Sequence, residues 1–398
     1  MGPQPKGLID IKTRQVTKSD LLKEFKILKR AGKVDEVFEE NFNKDLKQTF
    51  DFPQTFLPRS VQSLPISGRE PSIYYLEPMM IFKGRGEHPM RGRIKQPVNP
   101  KNVIVNVNSN EKLIAEPQGG FKSVVTIDSQ IPWRLSWRDT LTGNMRYLRT
   151  VVSQNEESKF EMARKLKRKL PMFRKQNREN LLSKKRTVAQ CATAAYLIDN
   201  LWIRAGNEKE QLTTDTVGCC TLECQHAALL GDENRKVKFS FLGKDSVPFQ
   251  RTITVIEPVY LNLKLYQKGK KNGAQLFDAI DTGTLNRYIN RIVPEMTAKV
   301  FRMCNACISF ESALSRTNDY AGYVQANEVV ARMLNHKKYD NKKKKWVSSI
   351  ITSRTNYLDP RITIAYCQHH ELPLSRVFSA TLRARYKWAL SAPSNFRF

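Results

Sequence analysis

The chain has 398 residues, of which 67 are Lys or Arg and 38 are Asp or Glu, so its formal net charge at neutral pH is +29. With 40% apolar residues it can bury a core in each of two or three domains, which argues against disorder. Such a charge surplus attracts polyanions, because Lys and Arg release counterions when they neutralise successive phosphates. We therefore expect nucleic acid or an anionic membrane as the partner, rather than a small metabolite.

The sequence also bears on the cellular setting. No uninterrupted apolar run approaches the roughly 18 to 20 residues that span a bilayer, so we expect no membrane insertion. The N-terminal sequence MGPQPKGLIDIKTRQ lacks the apolar core of a secretory signal. The seven cysteines are an odd number in a long chain, which favours reduced thiols in a cytosolic or nuclear compartment.

The first part of the chain predicts a domain of mixed structure. Residues 1 to about 60 are mostly polar, with one amphipathic helix predicted around Leu21 to Leu28. After a proline-punctuated stretch, short alternating runs such as Val103–Val107 and Trp133–Trp137 extend to about Leu148. A period of two broken by Gly, Pro and Asn is typical of a β-rich or mixed α/β unit. We place the end of this domain near residue 150.

Beyond about residue 155 the apolar period becomes helical, and it stays mainly helical to residue 398. This half opens with the basic stretch Arg164–Lys169. A charge run by itself is usually a solvated helix face. The net charge of +29 makes a phosphate-facing stripe an equally strong interpretation.

Two common classes of catalytic motif are missing. The chain contains neither GxxxxGK[ST], the phosphate loop of ATPases, nor the zinc-binding HExxH. Cys304 and Cys307 have the spacing of zinc ligands, and other residues could complete such a site, namely Cys219, Cys220, Cys224 and His226. Cys304 and Cys307 nevertheless stand in a helical pattern, and Cys is among the most often buried residues. We therefore prefer structural thiols, and we expect no metal and no cofactor.

Metal-free chemistry at a phosphodiester needs a nucleophile, cations around the phosphoryl oxygens and an acid for the leaving oxygen. Five segments of the helical half can supply these groups. The first, YLIDNLWIRAG, predicts a helix that ends at a Gly206 C-cap, with Arg204 in its last turn. The second has alternating residues around Val237–Phe241 and Thr252–Val255, which predict a hairpin with Lys244 at its tip.

The third segment predicts a helix that begins after an N-cap at Thr297 and projects Arg302. The fourth predicts a helix from about Asp319 whose end delivers His336. In the fifth, Asp359 caps a helix that starts with proline, and Tyr357 stands just before it. Each residue alone is better explained as an ion pair, a solvated turn or a half-buried aromatic, so spacing does not select them.

A resemblance selects them. The strings RAGNEKE, FLGKDS, MTAKVFR, LNH and NYLDPRIT occur in this order, and with them the chain resembles the eukaryotic-type DNA topoisomerase IB family. Similarity extends upstream through FKGRGEHP and, more weakly, VFEENFNKDLK, so it covers most of the chain. The resemblance implies an α+β protein with a mixed α/β N-terminal cap lobe. It further implies a mainly α-helical catalytic lobe of the tyrosine recombinase and topoisomerase IB type, with a small β-hairpin, and both lobes clamp duplex DNA.

The same resemblance implies four regions. These are a DNA-binding cap lobe (1–150), a catalytic core (151–337), a short basic linker (338–349) and a C-terminal segment with the nucleophilic tyrosine (350–398). Only residues 337–356 separate His336 from Tyr357, so the long coiled-coil linker of cellular members cannot fit. The chain thus resembles a compact form that also lacks the family's charged N-terminal tail, which suggests a virus or a streamlined lineage.

The resemblance assigns roles to five residues. Tyr357 matches the nucleophile, which forms a 3′-phosphotyrosyl link. Lys244 matches the general acid for the 5′-oxygen. The transition state is stabilised by the groups that match Arg204, Arg302 and His336. The implied function is relaxation of positive and negative supercoils through transient single-strand cleavage, independent of ATP and metal.

Further positions resemble DNA-binding residues of the family: Arg85, Arg146, Tyr147, Asn207, Thr216, Asp245, Thr297, Ala298, Lys299 and Asn356. The implied partner is double-stranded DNA, preferentially supercoiled, bound by a monomer. A camptothecin-type inhibitor is expected to find contacts beside Arg85, Asp245 and Asn356. The implied location is the nucleus or another DNA-containing compartment, which for a viral enzyme is the host nucleus or a viral factory.

Two alternatives stay open at this point. A tyrosine site-specific recombinase shares the catalytic lobe, but recombinases usually place His three residues before the second Arg, where this chain has Lys299. A non-catalytic DNA-binding scaffold would explain the charge of +29 by phosphate contacts alone. The presence of all five catalytic residue types argues against a scaffold.

Overall fold

The computed structural model describes residues 7–12, 16–50, 72–84, 88–107, 111–113, 120–126, 133–149, 156–206, 217–244, 247–340 and 345–398. The chain divides into two compact units, Met1–Gln154 and Asn155–Phe398. Within the described ranges, no helix combines the length and apolar character that crossing a membrane requires. The functional roles of the four regions named above stay predictions.

Two packed helices follow the first strand of the N-terminal unit. Helix α1 spans Lys18–Arg30 and helix α2 spans Glu36–Phe50. Thr17 starts α1 with a reciprocal capping box, in which its hydroxyl accepts from the Asp20 N–H and the Asp20 side chain accepts from the Thr17 N–H. The buried side chains of α1 are Leu21, Phe25 and Leu28. Their helical spacing confirms the predicted amphipathic helix.

The described residues of this unit also form nine short strands: β1 Gly7–Lys12, β2 Ser72–Tyr75, β3 Met80–Ile81, β4 Ile94–Lys95, β5 Ile104–Val107, β6 Glu111–Leu113, β7 Ser123–Thr126, β8 Trp133–Arg138 and β9 Met145–Arg149. They form sheets in the orders β2-β1-β6, β3-β4 and β7-β5-β8-β9. Strands β5 and β8 pair antiparallel, with Val105 opposite Leu135 in the core. The prediction of strands in these two alternating runs is confirmed.

A buried carboxylate organises the turn between β8 and β9. Asp139 accepts hydrogen bonds from Lys95 Nζ at 2.8 Å and from the Thr142 N–H at 2.9 Å, and its Oδ2 lies 2.8 Å from Arg146 Nη2. Burial raises the pKa of the Asp139 carboxyl, but these partners outweigh burial and hold the pKa well below its usual range. The same bonds fix the guanidinium of Arg146, an exposed residue of β9.

Asp139→Asn should lower the free energy of unfolding of the N-terminal unit by about 3 kcal/mol at neutral pH, because it leaves the buried Lys95 charge with a single carboxylate. The folded-state pKa of Asp139 lies below its unfolded value, so this stabilisation is present above about pH 5 and is lost as pH falls through the folded pKa. Urea unfolding, monitored by hydrogen exchange in β8 and β9, measures the free energy of unfolding at neutral pH and again below about pH 5. Glu40→Gln, an exposed change on α2, is the control, and an equal loss in both variants would contradict the prediction.

The C-terminal unit is mainly helical. Its helices are α3 Glu156–Asn180, α4 Arg186–Leu201, α5 Glu257–Gln267, α6 Thr282–Ile292, α7 Ala298–Leu314, α8 Tyr320–Met333, α9 Ile350–Asn356, α10 Pro360–His369, α11 Leu374–Val377 and α12 Ala380–Arg385. Its strands are β10 Ala227–Leu229, β11 Lys236–Gly243, β12 Val247–Thr254, β13 Lys337–Asp340 and β14 Lys345–Ser348. Helices with small sheets confirm the predicted α+β class.

Helix α7 lies at the centre of this unit and packs against α3, α4 and α8. Its buried side chains include Phe301, whose ring meets Phe173 of α3 edge-on, and the two cysteines Cys304 and Cys307. Burial raises the pKa of the Cys304 thiol to about 12, so this sulfur is a neutral, packed group. The predicted helical, structural position of Cys304 and Cys307 is confirmed.

The prediction that Arg204 lies in the last turn of a helix capped by Gly206 is wrong. Helix α4 ends at Leu201, because Trp202 adopts a left-handed conformation with φ 56° and donates its N–H to Ile198 O. Arg204 therefore lies beyond the helix. Gly206 is needed for a different reason, since a Cβ there would lie 2.8 Å from Gly218 Cα, where two chain segments meet.

The segment expected to be a short basic linker contains secondary structure. Strands β13 and β14 pair antiparallel, with Lys338 opposite Val347. The lysines at positions 342–344 lie outside the described residues. Two paired strands therefore stand where the sequence predicts only a connection between helices. The sequence did not predict them because so polar a run shows no strand pattern.

Candidate active site

Tyr357 lies at the end of α9, directly before the turn into α10. Its N–H donates to Ser353 O at 2.9 Å, and its C=O accepts from Cys307 Sγ at 3.3 Å. The same sulfur accepts from the Asp359 N–H at 3.4 Å, and the Asp359 side chain caps α10 as predicted. The side chain of Tyr357 is 7% exposed. Ser353 and Cys307 thus fix the backbone of Tyr357 against α7.

Arg302 projects from α7 towards this tyrosine. Its guanidinium carbon lies 5.2 Å from the centroid of the Tyr357 ring, and its Nη2 donates to Leu334 O at 3.3 Å. The residue is only 4% exposed. Burial lowers the pKa of Arg302 to about 10, against a smaller raising effect of Tyr357 and a further lowering by the positive charge of Arg204.

His336 follows α8 through a left-handed residue, Asn335, with φ 56°. Its ring centroid lies 5.0 Å from that of Tyr357, and its Nδ1 lies 2.7 Å from Ser353 Oγ. Burial, together with the smaller effects of the positive charges of Arg302 and Arg204, lowers the pKa of His336 to about 3. The imidazole is therefore neutral near pH 7. The sequence predicted the position of His336 at a helix end but not its protonation state.

Two buried nitrogens beside Tyr357 have no hydrogen-bond partner among the described residues: Arg302 Nε and His336 Nε2. In the tautomer whose Nδ1 accepts the Ser353 hydroxyl, His336 carries its proton on Nε2, and both nitrogens are then donors. Buried donors without acceptors are rare in native proteins, and these two lie beside the proposed nucleophile. The arrangement therefore suits an anionic oxygen.

A cleft of about 130 Å³ opens beside these donors, and its lining includes Arg204, Lys244, Arg302 and His336. Arg204 and Lys244 are exposed at this cleft. Lys244 directly follows β11 at the tip of the β11–β12 hairpin, as predicted. Four of the five predicted catalytic residues thus line one cleft, and Tyr357 contacts two of the four.

Among the described residues of the C-terminal unit, the predicted DNA contacts lie at the start of α7 and at the end of α9. Thr297 precedes α7, as expected, but its side chain makes no capping bond, and Asn286 Oδ1 accepts from the Ala298 N–H instead. Thr297 and Lys299 are exposed, whereas Ala298 is buried. Asn356 is exposed on α9.

In the N-terminal unit, Arg146 and Tyr147 are both exposed on β9. The Tyr147 ring centroid lies 5.9 Å from that of Trp133, and Asp139 holds the Arg146 guanidinium. Both side chains are thus presented in ordered positions on a strand. The other predicted DNA contacts lie outside the described residues: Arg85, Asn207, Thr216 and Asp245.

Comparison with known proteins agrees with this geometry. Residues 148–365 match the family described as eukaryotic DNA topoisomerase I, catalytic core, and residues 66–150 match its DNA binding fragment. The chain belongs to the eukaryotic DNA topoisomerase I family. The resemblance predicted from the five strings is confirmed, and the match to the catalytic core contains Arg204, Lys244, Arg302, His336 and Tyr357.

Individual relatives of this topoisomerase I family member extend the similarity. DNA topoisomerase 1 of Drosophila melanogaster is 31% identical over 93% of this chain and 44% of its own length. DNA topoisomerase 1 of Caenorhabditis elegans is 32% identical over 80% and 50%. The mitochondrial DNA topoisomerase I of Homo sapiens is 30% identical over 82% of this chain and 69% of its own. The chain spans about half the length of the first two relatives.

Sequence reasoning missed two residues that hold this site together. Ser353 lies one helical turn before Tyr357, so the i, i+4 spacing could have placed both on one face of α9. Its bond to His336 has no such signal, because the two residues come from different elements. Cys307 was recognised as buried, but its two bonds to the Tyr357 turn depend on α7 packing against α10.

We expect His336 to remain neutral, with its proton on Nε2, from about pH 8 to about pH 5, because its folded-state pKa is near 3. Nitrogen chemical shifts of the 15N-histidine-labelled protein distinguish the two tautomers, and His336→Gln identifies the signal. Ser353→Ala removes the bond to Nδ1 without a change of charge and should give a mixture of tautomers. A His336 signal that titrates near neutral pH would contradict this assignment.

Proposed function

We propose that this family member is a type IB DNA topoisomerase that relaxes positive and negative supercoils. In this proposal, Tyr357 cleaves one strand through a 3′-phosphotyrosyl intermediate, the free end rotates, and the strand is religated. The observation that carries the proposal is the pair of unpartnered donors, Arg302 Nε and His336 Nε2, buried next to the Tyr357 ring. They supply what the charge on a reacting phosphate requires.

The nucleophilic step exchanges one phosphodiester for another. The Tyr357 oxygen loses its proton to solvent and forms a bond to phosphorus while the bond from phosphorus to the 5′-oxygen breaks, so the energy of the cut bond is kept for religation. A phenol with a pKa near 10 is a weak nucleophile at neutral pH. In this proposal the positive charge of Arg302, 5.2 Å from the centroid of the Tyr357 ring, offsets the negative charge of the attack without a metal.

Negative charge grows on the non-bridging phosphoryl oxygens as the pentavalent state forms. Arg302 and His336 meet these oxygens with donors that are already oriented, because Leu334 O and Ser353 Oγ hold their other nitrogens. Arg204 adds a cation from the exposed side of the cleft. Oriented donors in a water-poor site stabilise such a state without reorganisation.

The leaving 5′-oxygen needs a proton, and we assign its donation to Lys244. This cation stands at the hairpin tip on the rim of the cleft, from which a flexible four-carbon stem can reach a bound strand. After rotation the 5′-hydroxyl returns the proton and attacks the phosphotyrosine. The reaction then runs in reverse and restores the backbone.

Duplex DNA is the proposed partner, and the net charge of +29 supports it. Contacts by Arg146, Tyr147, Lys299 and Asn356 belong to this proposal, as do a preference for supercoiled DNA, a monomeric active unit and contacts for a camptothecin-type inhibitor. The proposed setting is a DNA-containing compartment, with the nucleus as the specific expectation. One relative is named a mitochondrial enzyme.

The wild-type protein should relax a supercoiled plasmid in EDTA without ATP, and Tyr357→Phe should abolish relaxation and covalent attachment to DNA. Non-covalent affinity should stay near wild type, because only the phenolic oxygen is lost. Agarose gels and filter binding measure the two effects. Tyr320→Phe, which removes a phenolic oxygen at the start of α8, is the matched control and should relax normally.

The same assay separates the alternative functions. A site-specific recombinase leaves a plasmid without target sites unchanged, and a non-catalytic scaffold never forms a covalent complex. Near-normal relaxation by Tyr357→Phe would overturn the proposed function.

Lys244→Ala should slow single-turnover cleavage by about 10²- to 10⁴-fold, since the 5′-oxygen loses its acid. A substrate with a bridging 5′-phosphorothiolate should restore most of this rate, because sulfur leaves without protonation. Arg302→Ala is the comparison, since it weakens stabilisation of the phosphoryl oxygens and not protonation of the leaving group. Equal rescue of both variants would show that Lys244 is not the acid.

A further inference from the structure

One arginine joins the three elements that lead to Arg204, His336 and Lys244. Arg251 lies on β12, and its Nη1 donates to Leu201 O at 3.1 Å. Its Nη2 donates to Arg332 O at 3.1 Å and to Met333 O at 3.3 Å. A single guanidinium therefore bonds the last carbonyl of α4 and the last carbonyls of α8 at the same time.

The Arg332 carbonyl already accepts from the Asn335 N–H at 3.1 Å, so the carbonyls that need an outside partner are Leu201 O and Met333 O. The last four carbonyls of a helix find no N–H donor within the helix, and they carry the negative end of the helix dipole. Both helices end in the same way here, at a left-handed residue with φ 56°, namely Trp202 after α4 and Asn335 after the last turn of α8. Arg251 provides a permanent positive charge and a planar fork of donors to both ends.

The chain that leaves each helix end carries one of the proposed catalytic groups into the cleft. Arg204 comes two residues after Trp202, and His336 comes directly after Asn335. The strand that bears Arg251 continues back to the hairpin tip at Lys244. Because these segments are short, a shift of either helix end relative to β12 moves a catalytic group.

Further contacts support the same junction. Asn335 Nδ2 donates to Pro248 O at 3.2 Å, and Lys337 Nζ donates to the same oxygen at 2.9 Å. The Arg251 guanidinium lies 5.3 Å from the centroid of the Phe249 ring, and Phe249 lines the cleft. The end of α8 is thus bonded to β12 at two places, of which only Arg251 also reaches α4.

We propose that Arg251 is a positioning residue for the strand-cleavage reaction: it sets Arg204, His336 and Lys244 in one geometry by joining the ends of α4 and α8 to β12. This inference rests on the proposed function. Arg251 itself makes its hydrogen bonds to backbone carbonyls inside the unit, so its effect reaches the phosphate only through Arg204, His336 and Lys244.

The decisive variant is Arg251→Met, which keeps an apolar stem against Phe249 and removes every donor. Arg251→Lys keeps the charge with a donor that cannot fork to both helix ends. Lys236→Ala, an exposed change on β11, is the control for the loss of one positive charge from the same hairpin. Melting temperature and circular dichroism of all variants are measured first, so that cleavage is compared only among folded proteins.

Arg251→Met should lower the maximal single-turnover cleavage rate at saturating enzyme by about 10²-fold, because displacement of catalytic groups by about 1 Å has this effect. DNA affinity, measured in a Tyr357→Phe background, should change by no more than Lys236→Ala changes it. Arg251→Lys should recover part of the rate. A 5′-phosphorothiolate should rescue Arg251→Met less than it rescues Lys244→Ala, because Arg204 and His336 stay displaced.

A double-mutant cycle with His336→Ala completes the test. Since Arg251 acts partly through His336, its replacement should cost less in that background than in the wild type. Cleavage by Arg251→Met within about threefold of Lys236→Ala would overturn the inference, as would full additivity with His336→Ala. If Arg251→Met does not fold, Arg251→Lys decides the matter by the same criteria. Absence of cleavage by the wild type would instead overturn the proposed function, so the two failures are distinguishable.

Discussion

Positive charge held next to a buried tyrosine is the constraint on which the C-terminal unit depends. Arg302 is almost fully buried against the Tyr357 ring, and in the described part of the chain no carboxylate pairs with it. An unpaired buried cation is costly, and the lowered pKa values of Arg302 and His336 express that cost. The protein tolerates it because helix α7 is packed on several sides, so the side chain cannot move to solvent. The unpaired positive charge of Arg302 makes the site suited to bind an anion.

The same constraint explains why so many backbone bonds surround the site. A donor that waits for a phosphate must be held by its other bonds, as Leu334 O holds Arg302 and Ser353 Oγ holds His336. The tyrosine turn is held by Cys307 in turn, a neutral sulfur that adds no charge. Arg251 extends this support to the ends of two helices. Rigid placement of this kind is what electrostatic stabilisation of a transition state requires, because the donors need not reorganise.

The N-terminal unit uses buried charge in the opposite way. Asp139 is buried, but Lys95, Arg146 and two backbone N–H groups satisfy it, and its pKa is accordingly lowered. The carboxylate therefore stabilises the β8–β9 turn and orients an exposed arginine. In one unit a charge is fully paired to build structure, and in the other a charge is left unpaired beside the residues proposed for chemistry.

Features encoded in a few consecutive residues could be read from the sequence alone. They include the amphipathic helix at Leu21 to Leu28, the hairpin that carries Lys244, the Asp359 cap and the helix end before His336, since periodicity, turns and caps are local. The family strings likewise named the five residues of the site. The end of α4, the β13–β14 hairpin and the partners of His336 and Arg251 required the tertiary structure. The physical reason is that burial, pKa and bonds such as that of Arg251 to α8 depend on residues distant in the chain, which local patterns do not specify.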